Sequence, residues 1–243
     1  MATKLLYLDG FDVLACEATV VDMRAIDGRT AVVLDQTCFY PRGGGQDWDT
    51  GHMTTDNADF AVDEVRLDEA GIVWHYGVFV RGQLAAGDTV HCRVDEQRRS
   101  DNTRLHSAGH VLDMAVTHLG LPWTPGRGAH YPHMSFVEYS ADGIPSDDTL
   151  QRLQHQINAL LERDYHTQIR FMPVSEMGAY CRHIPDNLPT NKPSRIVLYA
   201  DDFGIPCGGT HVRRLRDIGT VTITKLKAKK GLIKVSYTVA GIN

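Results

Sequence analysis

The sequence predicts an α+β protein with a small antiparallel β-barrel at the N-terminus and a mixed α+β domain after it. Three observations support this fold class. The length of 243 residues allows two modest domains. Short alternating runs dominate the first half, and helical patterns alternate with strand-like runs in the second. We therefore predict a barrel domain over residues 1–94, which includes a glycine-rich loop, and a second domain over residues 95–243.

The strands predicted in the first half are short and rich in β-branched residues. Alternating runs lie at residues 18–21, 30–34, 60–65 and 72–76, and glycine-containing turns lie at 27–28, 70–71 and 86–88. Short strands bounded by such turns are typical of antiparallel sheets. A small barrel or sandwich accounts best for this half of the chain.

Two amphipathic helices are predicted in the second half. The first has apolar residues at three- and four-residue steps between Leu105 and Leu119, and the sequence Gly-Leu-Pro at 120–122 ends it. The second follows Ser-Asp-Asp at 146–148, which suits a helix N-cap, and carries its apolar residues between Leu150 and Leu161. Strand-like runs lie at 135–139, 169–172, 196–200, 220–226 and 233–239.

The net charge of −5 conceals a basic segment near the end of the sequence. Residues 213–234 contain eight Lys and Arg residues and one Asp, a charge of 8 − 1 = +7. Such a segment can be a solvated strand-and-turn face or a surface that binds phosphate groups, and the sequence leaves both interpretations open.

Composition also bears on the compartment of the protein. No run approaches the roughly 20 apolar residues of a membrane helix, and residues 1–4 are not followed by a signal-peptide hydrophobic region. The cysteines are odd in number and widely spread, which favours reduced thiols. We expect a cytoplasmic protein with no membrane association and no obligate protein partner.

Two residue pairs together predict a zinc site. His106 and His110 are four residues apart on the first predicted helix, so both rings project from one face. Cys207 and His211 are also four residues apart, and two glycines between them allow a tight fold. Three imidazoles and one thiolate suit the tetrahedral coordination of zinc.

A second histidine pair and the number of ligands qualify this prediction. His130 and His133 are separated by Pro132 with no helix to align them, so we expect structural roles for both. Four protein ligands normally mark a closed structural zinc site, whereas a catalytic zinc keeps one position open. Either one ligand is displaced, or the metal acts by shaping a pocket.

The glycine-rich loop has the sequence Thr-Cys-Phe-Tyr-Pro-Arg-Gly-Gly-Gly-Gln over residues 37–46. It matches neither the Walker nor the dinucleotide-binding fingerprint. It is followed by Asp-Thr-Gly at 49–51, the two helical histidines, Cys-Gly-Gly-Thr-His-Val at 207–212 and Asp-Ile-Gly at 217–219. This combination resembles the editing half of alanyl-tRNA synthetase and, more closely, its free-standing relatives, the AlaX alanyl-tRNA editing proteins.

The resemblance implies a fold, a reaction and a set of zinc ligands. It implies an N-terminal barrel followed by an editing domain that acts in trans and deacylates tRNA-Ala mischarged with serine, and in some members glycine. His106, His110, Cys207 and His211 would bind Zn²⁺. The glycine-rich loop would lie near the mouth of the pocket that receives the acceptor end of the tRNA.

The implied ester hydrolysis needs a positioned water and stabilisation of an oxyanion. Backbone N–H groups of Gly208, Gly209 and Thr210 are candidates for the oxyanion, and Gln46 and Thr210 are candidates to orient water. Selection of serine over alanine needs a partner for the seryl hydroxyl, for which Ser107 and Thr210 are the nearest hydroxyl groups in sequence.

Binding of tRNA requires a basic surface. We expect phosphate contacts from the following side chains: Arg98, Arg99, Arg104, Arg213, Arg214, Lys225, Lys227, Lys229 and Lys230. Two alternatives remain, a non-catalytic zinc module that binds RNA and a zinc hydrolase of small esters. The first predicts tRNA binding without deacylation, and the second predicts activity on substrates that lack tRNA.

Overall fold

The computed structural model describes residues 2–242 and confirms the predicted α+β fold class. Two α-helices, α1 (Glu96–His118) and α2 (Thr149–Arg163), lie within this range. The strands are β1 (Lys4–Leu5), β2 (Ala15–Ile26), β3 (Arg29–Leu34), β4 (Gln36–Thr37), β5 (Gly51–Thr54), β6 (Asp59–Leu67), β7 (Val73–Arg81), β8 (Thr89–Val94), β9 (Thr124–Tyr131), β10 (Met134–Ser140), β11 (Gln168–Met172), β12 (Ser194–Ala200), β13 (Phe203–Pro206), β14 (Val221–Lys229) and β15 (Leu232–Val239).

The chain forms two compact units whose limits differ in detail from the predicted division after residue 94. One unit comprises the chain through Gly43 together with Asp47–Ser100. The other comprises Gly44–Gln46 together with the chain from Asp101 onward. The end of the glycine-rich loop therefore belongs to the same unit as the predicted metal ligands.

The first unit contains a closed antiparallel barrel in the order β2-β3-β7-β6-β5-β8. Strand residues alternate between the inside and the outside of the barrel, as in β8, where Val90, Cys92 and Val94 are buried and their neighbours exposed. Apolar side chains from all six strands form one core cluster. The predicted barrel architecture is thus confirmed.

A buried ion pair lies in this unit. The Arg99 guanidinium contacts the Asp49 carboxylate, with Nε at 3.0 Å from both carboxylate oxygens, and both side chains are almost fully buried. Arg99 also donates to the carbonyl oxygens of Val13 and Cys38, and the Tyr40 N–H donates to Asp49 at 2.6 Å. The pair links three segments of the barrel unit through hydrogen bonds that leave little of either charge uncompensated.

We expect Asp49→Ala to lower the free energy of unfolding by about 3–5 kcal/mol, because it leaves the Arg99 charge buried without its partner. Urea unfolding followed by circular dichroism measures the change. The matched control is Asp22→Ala, which removes the exposed ion pair with Arg24 and should cost less than about 1 kcal/mol. Equal effects of the two substitutions would contradict a special role for the buried pair.

The second unit packs its helices against antiparallel sheets. One sheet has the order β14-β15-β10-β9 and the other the order β11-β12-β13. Leu105, Ala108, Val111, Leu112 and Ala115 of α1 are buried in a core that also contains the apolar face of α2. Both predicted helices are confirmed, and no helix within residues 2–242 combines the length and apolarity needed to cross a membrane.

Candidate metal centre

The four predicted metal ligands converge in the second unit. His106 and His110 lie one turn apart on α1, and their ring centroids are 4.8 Å apart. Cys207 and His211 come from the loop after β13, and the ligand atoms of all four residues lie within 4.8 Å of one another. The spacing that suggested two pairs in the sequence thus corresponds to one cluster of three imidazoles and a thiol.

Gly209 and Arg195 determine the conformation of the loop that carries Cys207. A Cβ atom on Gly209 would lie 2.1 Å from Cε1 of His106, so only glycine allows the loop to approach α1 this closely. Buried Arg195 donates to the carbonyl oxygens of Cys207 at 2.6 Å and of Gly209 at 3.0 Å. These contacts fix the direction of the Cys207 side chain.

The hydrogen bonds of the imidazoles leave ligand atoms available for a metal ion. Nδ1 of His106 lies 2.7 Å from Oε1 of Gln46, and Nδ1 of His211 lies 2.8 Å from the hydroxyl of Tyr199. Nε2 of His211 and both ring nitrogens of His110 are buried without a hydrogen-bond partner among the described residues. Buried polar atoms normally have partners, so these atoms and the nearby thiol fit a zinc ion.

The charges of the four side chains also fit a divalent cation. Burial alone would raise the pKa of Cys207, but His110 and the Gly209 N–H hold it below its ordinary value. Burial opposes the charged form of His110, yet Asp113 and Cys207 raise its pKa to about 9. Burial lowers the pKa of His106, which stays neutral. The surroundings therefore favour negative charge on Cys207 and positive charge beside it, and a bound cation would supply that positive charge.

Gln46, at the end of the glycine-rich loop, supports this cluster. It is fully buried, and its Oε1 accepts hydrogen bonds from His106 and from the Thr210 N–H, while its Nε2 donates to Thr210 Oγ1 at 2.9 Å. A donated Nδ1–H fixes the tautomer of His106 so that the lone pair of Nε2 faces Sγ of Cys207 at 3.4 Å, and both atoms could bind one metal ion. These contacts favour a positioning role for Gln46 over the water-orienting role expected from the sequence.

The conformation of the glycine-rich loop requires a glycine at position 45. Gly45 has φ +76°, and a Cβ atom on it would lie 2.6 Å from the carbonyl oxygen of Gly128 in β9. The Gly45 carbonyl accepts the His130 N–H at 2.8 Å. Close approach to β9 holds this part of the loop in the second unit, and this approach directs Gln46 towards His106.

We expect Gln46→Leu to lower zinc affinity by about 10–100-fold, the usual cost of losing a group that orients a metal-binding histidine. Competition with a fluorescent chelator measures the affinity. Gln46→Glu retains an acceptor for the His106 N–H, so its zinc affinity should fall less than that of Gln46→Leu. The control is Gln83→Leu at an exposed position. Unchanged zinc affinity of Gln46→Leu would contradict the positioning role.

The other residues expected in the chemistry have structural partners. The Ser107 hydroxyl accepts the Val212 N–H at 3.1 Å, and Thr210 Oγ1 lies 2.6 Å from the hydroxyl of Thr103 in addition to its bond with Gln46. Neither Ser107 nor Thr210 lines the cavity that adjoins the metal ligands. The prediction that their hydroxyls bind the seryl side chain therefore lacks structural support.

Two of the three backbone N–H groups predicted to bind the oxyanion already donate hydrogen bonds within the protein. The Gly209 N–H donates to Sγ of Cys207 at 3.3 Å, and the Thr210 N–H donates to Gln46. Gly208 is exposed, and none of the hydrogen bonds within residues 2–242 engages its N–H. Of the three amides, only that of Gly208 remains a candidate to bind a developing oxyanion.

The cavity beside the metal ligands has a volume of about 650 Å³. His106, His110 and Cys207 contribute to its wall, together with the backbone of Gly44 and Gly45. Its size falls in the range of about 300–1,000 Å³ that is usual for small-molecule sites. The apolar part of the wall consists of Val116, Trp123, Val137, Tyr139, Phe203 and Ile205.

His130, expected to be structural, lies in the wall of this cavity. Its ring stacks on His106 with centroids 4.8 Å apart and an interplanar angle of 12°. Nδ1 lies 2.6 Å from the hydroxyl of Tyr237, which donates its own hydrogen to the Leu105 carbonyl at 2.9 Å. The Tyr237 oxygen must therefore accept the Nδ1–H of His130, so the neutral ring carries its lone pair on Nε2.

Glycines create the space that His130 occupies. A Cβ atom on Gly109 would lie 2.4 Å from ring atom Cε1 of His130, and one on Gly128 would lie 2.7 Å from Nε2. His133, by contrast, is exposed and stacks on Tyr131. Gly109 in α1 and Gly128 in β9 are the sequence features that make room for the His130 ring. They could not be recognised from the sequence, because only the fold brings α1 and β9 together.

The basic residues expected to bind tRNA divide into exposed and engaged groups. In β14, Lys225, Lys227 and Lys229 are exposed at alternate positions, and exposed Lys230 begins the turn to β15. Arg213 is also exposed. We call the four lysines the basic hairpin. It forms one edge of the sheet β14-β15-β10-β9.

Four arginines in that set are engaged by the protein. Arg99 is buried against Asp49, so the prediction that it binds phosphate is wrong. Arg104 donates to the carbonyl oxygens of Ile218 and Ala240, Arg98 donates to the Trp48 carbonyl, and Arg214 forms an ion pair with Asp164. Because of these contacts, Arg98, Arg104 and Arg214 are less available to bind phosphate than the sequence suggested.

Comparison with known proteins agrees with the site. The family model for class II (A) tRNA synthetases matches residues 12–98, and that for the threonyl and alanyl tRNA synthetase second additional domain matches residues 195–234, which include Cys207 and His211. The alanyl-tRNA editing protein AlaX-L of Pyrococcus horikoshii is 26% identical over 240 residues, which cover 98% of this chain and 58% of that protein. This chain is therefore similar to the AlaX-L editing protein along nearly all of its length.

The chain is also similar to a part of larger synthetases. The alanine–tRNA ligase of Bordetella petrii is 31% identical over 233 residues, which cover 90% of this chain and 25% of the ligase. That of Nitrosomonas europaea is 29% identical over 235 residues, with 90% of this chain and 26% of the ligase covered. The chain thus spans about a quarter of the length of these ligases.

Proposed function

We propose that this protein is an aminoacyl-tRNA deacylase that hydrolyses tRNA-Ala mischarged with serine or glycine. The observation that carries the proposal is the convergence of His106, His110, Cys207 and His211 in and beside the wall of a cavity of about 650 Å³. Similarity to AlaX-L, whose name describes alanyl-tRNA editing, supports the choice of substrate class.

Four side chains would hold Zn²⁺ in this protein. His106 and His211 would bind through Nε2, because Gln46 and Tyr199 engage their Nδ1 atoms. Cys207 would bind as the thiolate, and His110 supplies a ring nitrogen that has no hydrogen-bond partner among the described residues. When bound, zinc supplies positive charge that polarises groups near it.

The chain's own groups would prepare water and the ester for reaction. Nε2 of His130 would accept a hydrogen bond from the attacking water, with the ring orientation fixed by Tyr237. The Gly208 N–H would donate to the oxyanion that develops on the ester carbonyl. The apolar wall near Trp123 and Phe203 would exclude other water from the reacting group.

A deacylation assay tests the proposal. The zinc-loaded protein is incubated with Ser-tRNA-Ala, Gly-tRNA-Ala and Ala-tRNA-Ala, and release of each amino acid is followed. We expect release from the seryl and glycyl substrates to exceed release from the alanyl substrate. Binding without release would favour a non-catalytic RNA-binding module, and equal activity on a seryl ester without tRNA would favour a small-ester hydrolase.

We propose that the basic hairpin contacts tRNA phosphates. Changing Lys227, Lys229 and Lys230 together to Gln should weaken tRNA binding and reduce the slope of log affinity against log salt by about 0.7–0.9 for each phosphate that the variant no longer neutralises. Zinc content should not change. Filter binding at several salt concentrations measures the slope.

The matched control for this triple variant removes the same charge elsewhere. Exposed Arg81, Arg163 and Lys192 are changed to Gln in one protein. If the control reduces the salt slope as much as the hairpin variant, the effect reflects total charge and the proposed tRNA contact is incorrect.

A further inference from the structure

A group of cysteines in the barrel unit lies outside the metal-ligand cluster. Cys16 is in β2, Cys92 is in β8, and Cys38 directly follows β4. Cys38 and Cys92 are buried in the barrel core, and Cys16 is partly buried against it. The proposed deacylation uses none of these thiols.

The strand register sets Cys16 directly opposite Cys92. β2 and β8 are antiparallel, and their pairing matches Cys16 with Cys92 and Ala18 with Val90. Ala18 and Val90 point into the core, so the two cysteines, each two residues away, share that face. Opposed Cα atoms in an antiparallel pair lie about 4.5–5.5 Å apart, within the range of roughly 4.4–6.8 Å that a disulfide spans.

The surroundings of Cys16 favour its thiolate. Contacts with the thiols of Cys38 and Cys92 hold the pKa of Cys16 below its ordinary value, although burial opposes this effect. The same contacts and burial raise the pKa of Cys38 and of Cys92. Of these three thiols, that of Cys16 is the partly exposed one and those of Cys38 and Cys92 are buried, so a small reagent reaches the Cys16 sulfur most easily.

A metal site is a poorer interpretation of these thiols. His75 lies near Cys16 and could complete a set of ligands. Its Nδ1 lies 3.0 Å from the Val32 carbonyl, however, and its Nε2 lies 2.9 Å from Oγ1 of Thr37. Both ring nitrogens thus have partners within the barrel.

We propose that Cys16 and Cys92 form a reversible dithiol that is oxidised by hydroperoxides, with Cys16 as the attacking thiolate and Cys92 as the resolving thiol. Partial exposure of Cys16 gives a small oxidant access to its sulfur. This proposal does not depend on the deacylase activity.

The oxidation proceeds in two balanced steps. The Cys16 thiolate attacks one oxygen of the hydroperoxide, the O–O bond breaks, and the alkoxide or hydroxide that leaves takes a proton from water. Cys16 is thereby oxidised to a sulfenic acid. The Cys92 sulfur then attacks the Cys16 sulfur, the S–S bond forms, the S–O bond breaks, and the departing hydroxide takes the Cys92 proton to form water. A small-molecule dithiol reduces the Cys16–Cys92 disulfide to two thiols by exchange and is itself oxidised to a cyclic disulfide.

The test uses the zinc-loaded wild-type protein and hydrogen peroxide. After oxidation, free thiols are alkylated and the protein is digested without reductant for mass spectrometry. We expect a peptide pair joined by Cys16 and Cys92, lighter by two hydrogens than the separate peptides and separated again by dithiothreitol. A crosslink from Cys16 to Cys38, or one between two chains, would overturn the proposal.

A second measurement compares the reactivity of Cys16 with that of Cys181 in the wild-type protein and then uses one barrel variant. Before oxidation, iodoacetamide should alkylate Cys16 at least about tenfold faster than Cys181 at neutral pH, because burial raises the pKa of Cys181 to about 11. In Cys92→Ala, dimedone should trap the sulfenic acid on Cys16, whereas Cys181→Ala should still form the disulfide. Equal alkylation rates, or no dimedone adduct in a folded Cys92→Ala protein, would contradict the assignment of Cys16 as nucleophile.

Discussion

Cys207→Ala should remove bound zinc and reduce deacylation of Ser-tRNA-Ala by at least about 100-fold. Cys207 supplies the only thiolate of the four-residue cluster, and its negative charge is the main compensation for a divalent ion among three imidazoles. Losing a direct ligand should exceed the cost of about 10–100-fold that follows loss of a group supporting a ligand. Metal analysis after dialysis and single-turnover deacylation measure the two effects.

The control for this variant is Cys181→Ala, which removes another buried thiol from the same unit. It should retain one zinc per chain and the wild-type rate. A Cys207→Ala protein that keeps stoichiometric zinc would show that the metal assignment is incorrect. One that loses zinc but keeps full activity would restrict the metal to a structural role.

His130→Ala should lower kcat/KM for Ser-tRNA-Ala by about 100-fold or more while zinc content stays at one per chain. This is the usual contribution of a group that assists proton transfer at the attacking water. Tyr237→Phe should produce a smaller loss, because it removes the acceptor that fixes the His130 tautomer but keeps the ring. Kinetics and metal analysis on the same samples separate catalysis from metal binding.

His133→Ala is the matched control, because His133 is exposed and stacks only on Tyr131 among the rings of residues 2–242. It should retain wild-type kinetics. If His130→Ala lost zinc in parallel with activity, the effect would come from loss of the stacking contact that supports the ligand His106. The proposed contact between His130 and the attacking water would then be incorrect.

The metal ligands were predictable because each pair is local in sequence. A four-residue spacing places His106 and His110 on one face of any helix, and a short glycine-containing loop brings Cys207 close to His211. The roles of Gln46 and His130 depend on contacts between residues far apart in sequence, such as the bond between Gln46 and Thr210. Neither residue has a local pattern that distinguishes it from an ordinary polar side chain.

Contacts between residues far apart in sequence also explain why β9 was not predicted and why two arginines were counted as basic surface. β9 has the sequence Thr-Pro-Gly-Arg-Gly-Ala-His-Tyr, which lacks the apolar alternation of a strand, and its pairing with β10 determines its structure. Arg99 and Arg214 counted as basic surface in the sequence. Their carboxylate partners, Asp49 and Asp164, are 50 residues away in each case, so only the fold shows that these charges are compensated.

The position of β14 at the edge of its sheet has a consequence for solubility. An edge strand presents backbone N–H and C=O groups to which a strand of another molecule can add, and lysines at alternate positions oppose such pairing through charge repulsion. Lys225, Lys227 and Lys229 occupy such positions. Neutralising them therefore exposes an edge that can nucleate aggregation, so a protein carrying these changes requires a check that it remains monodisperse at working concentration.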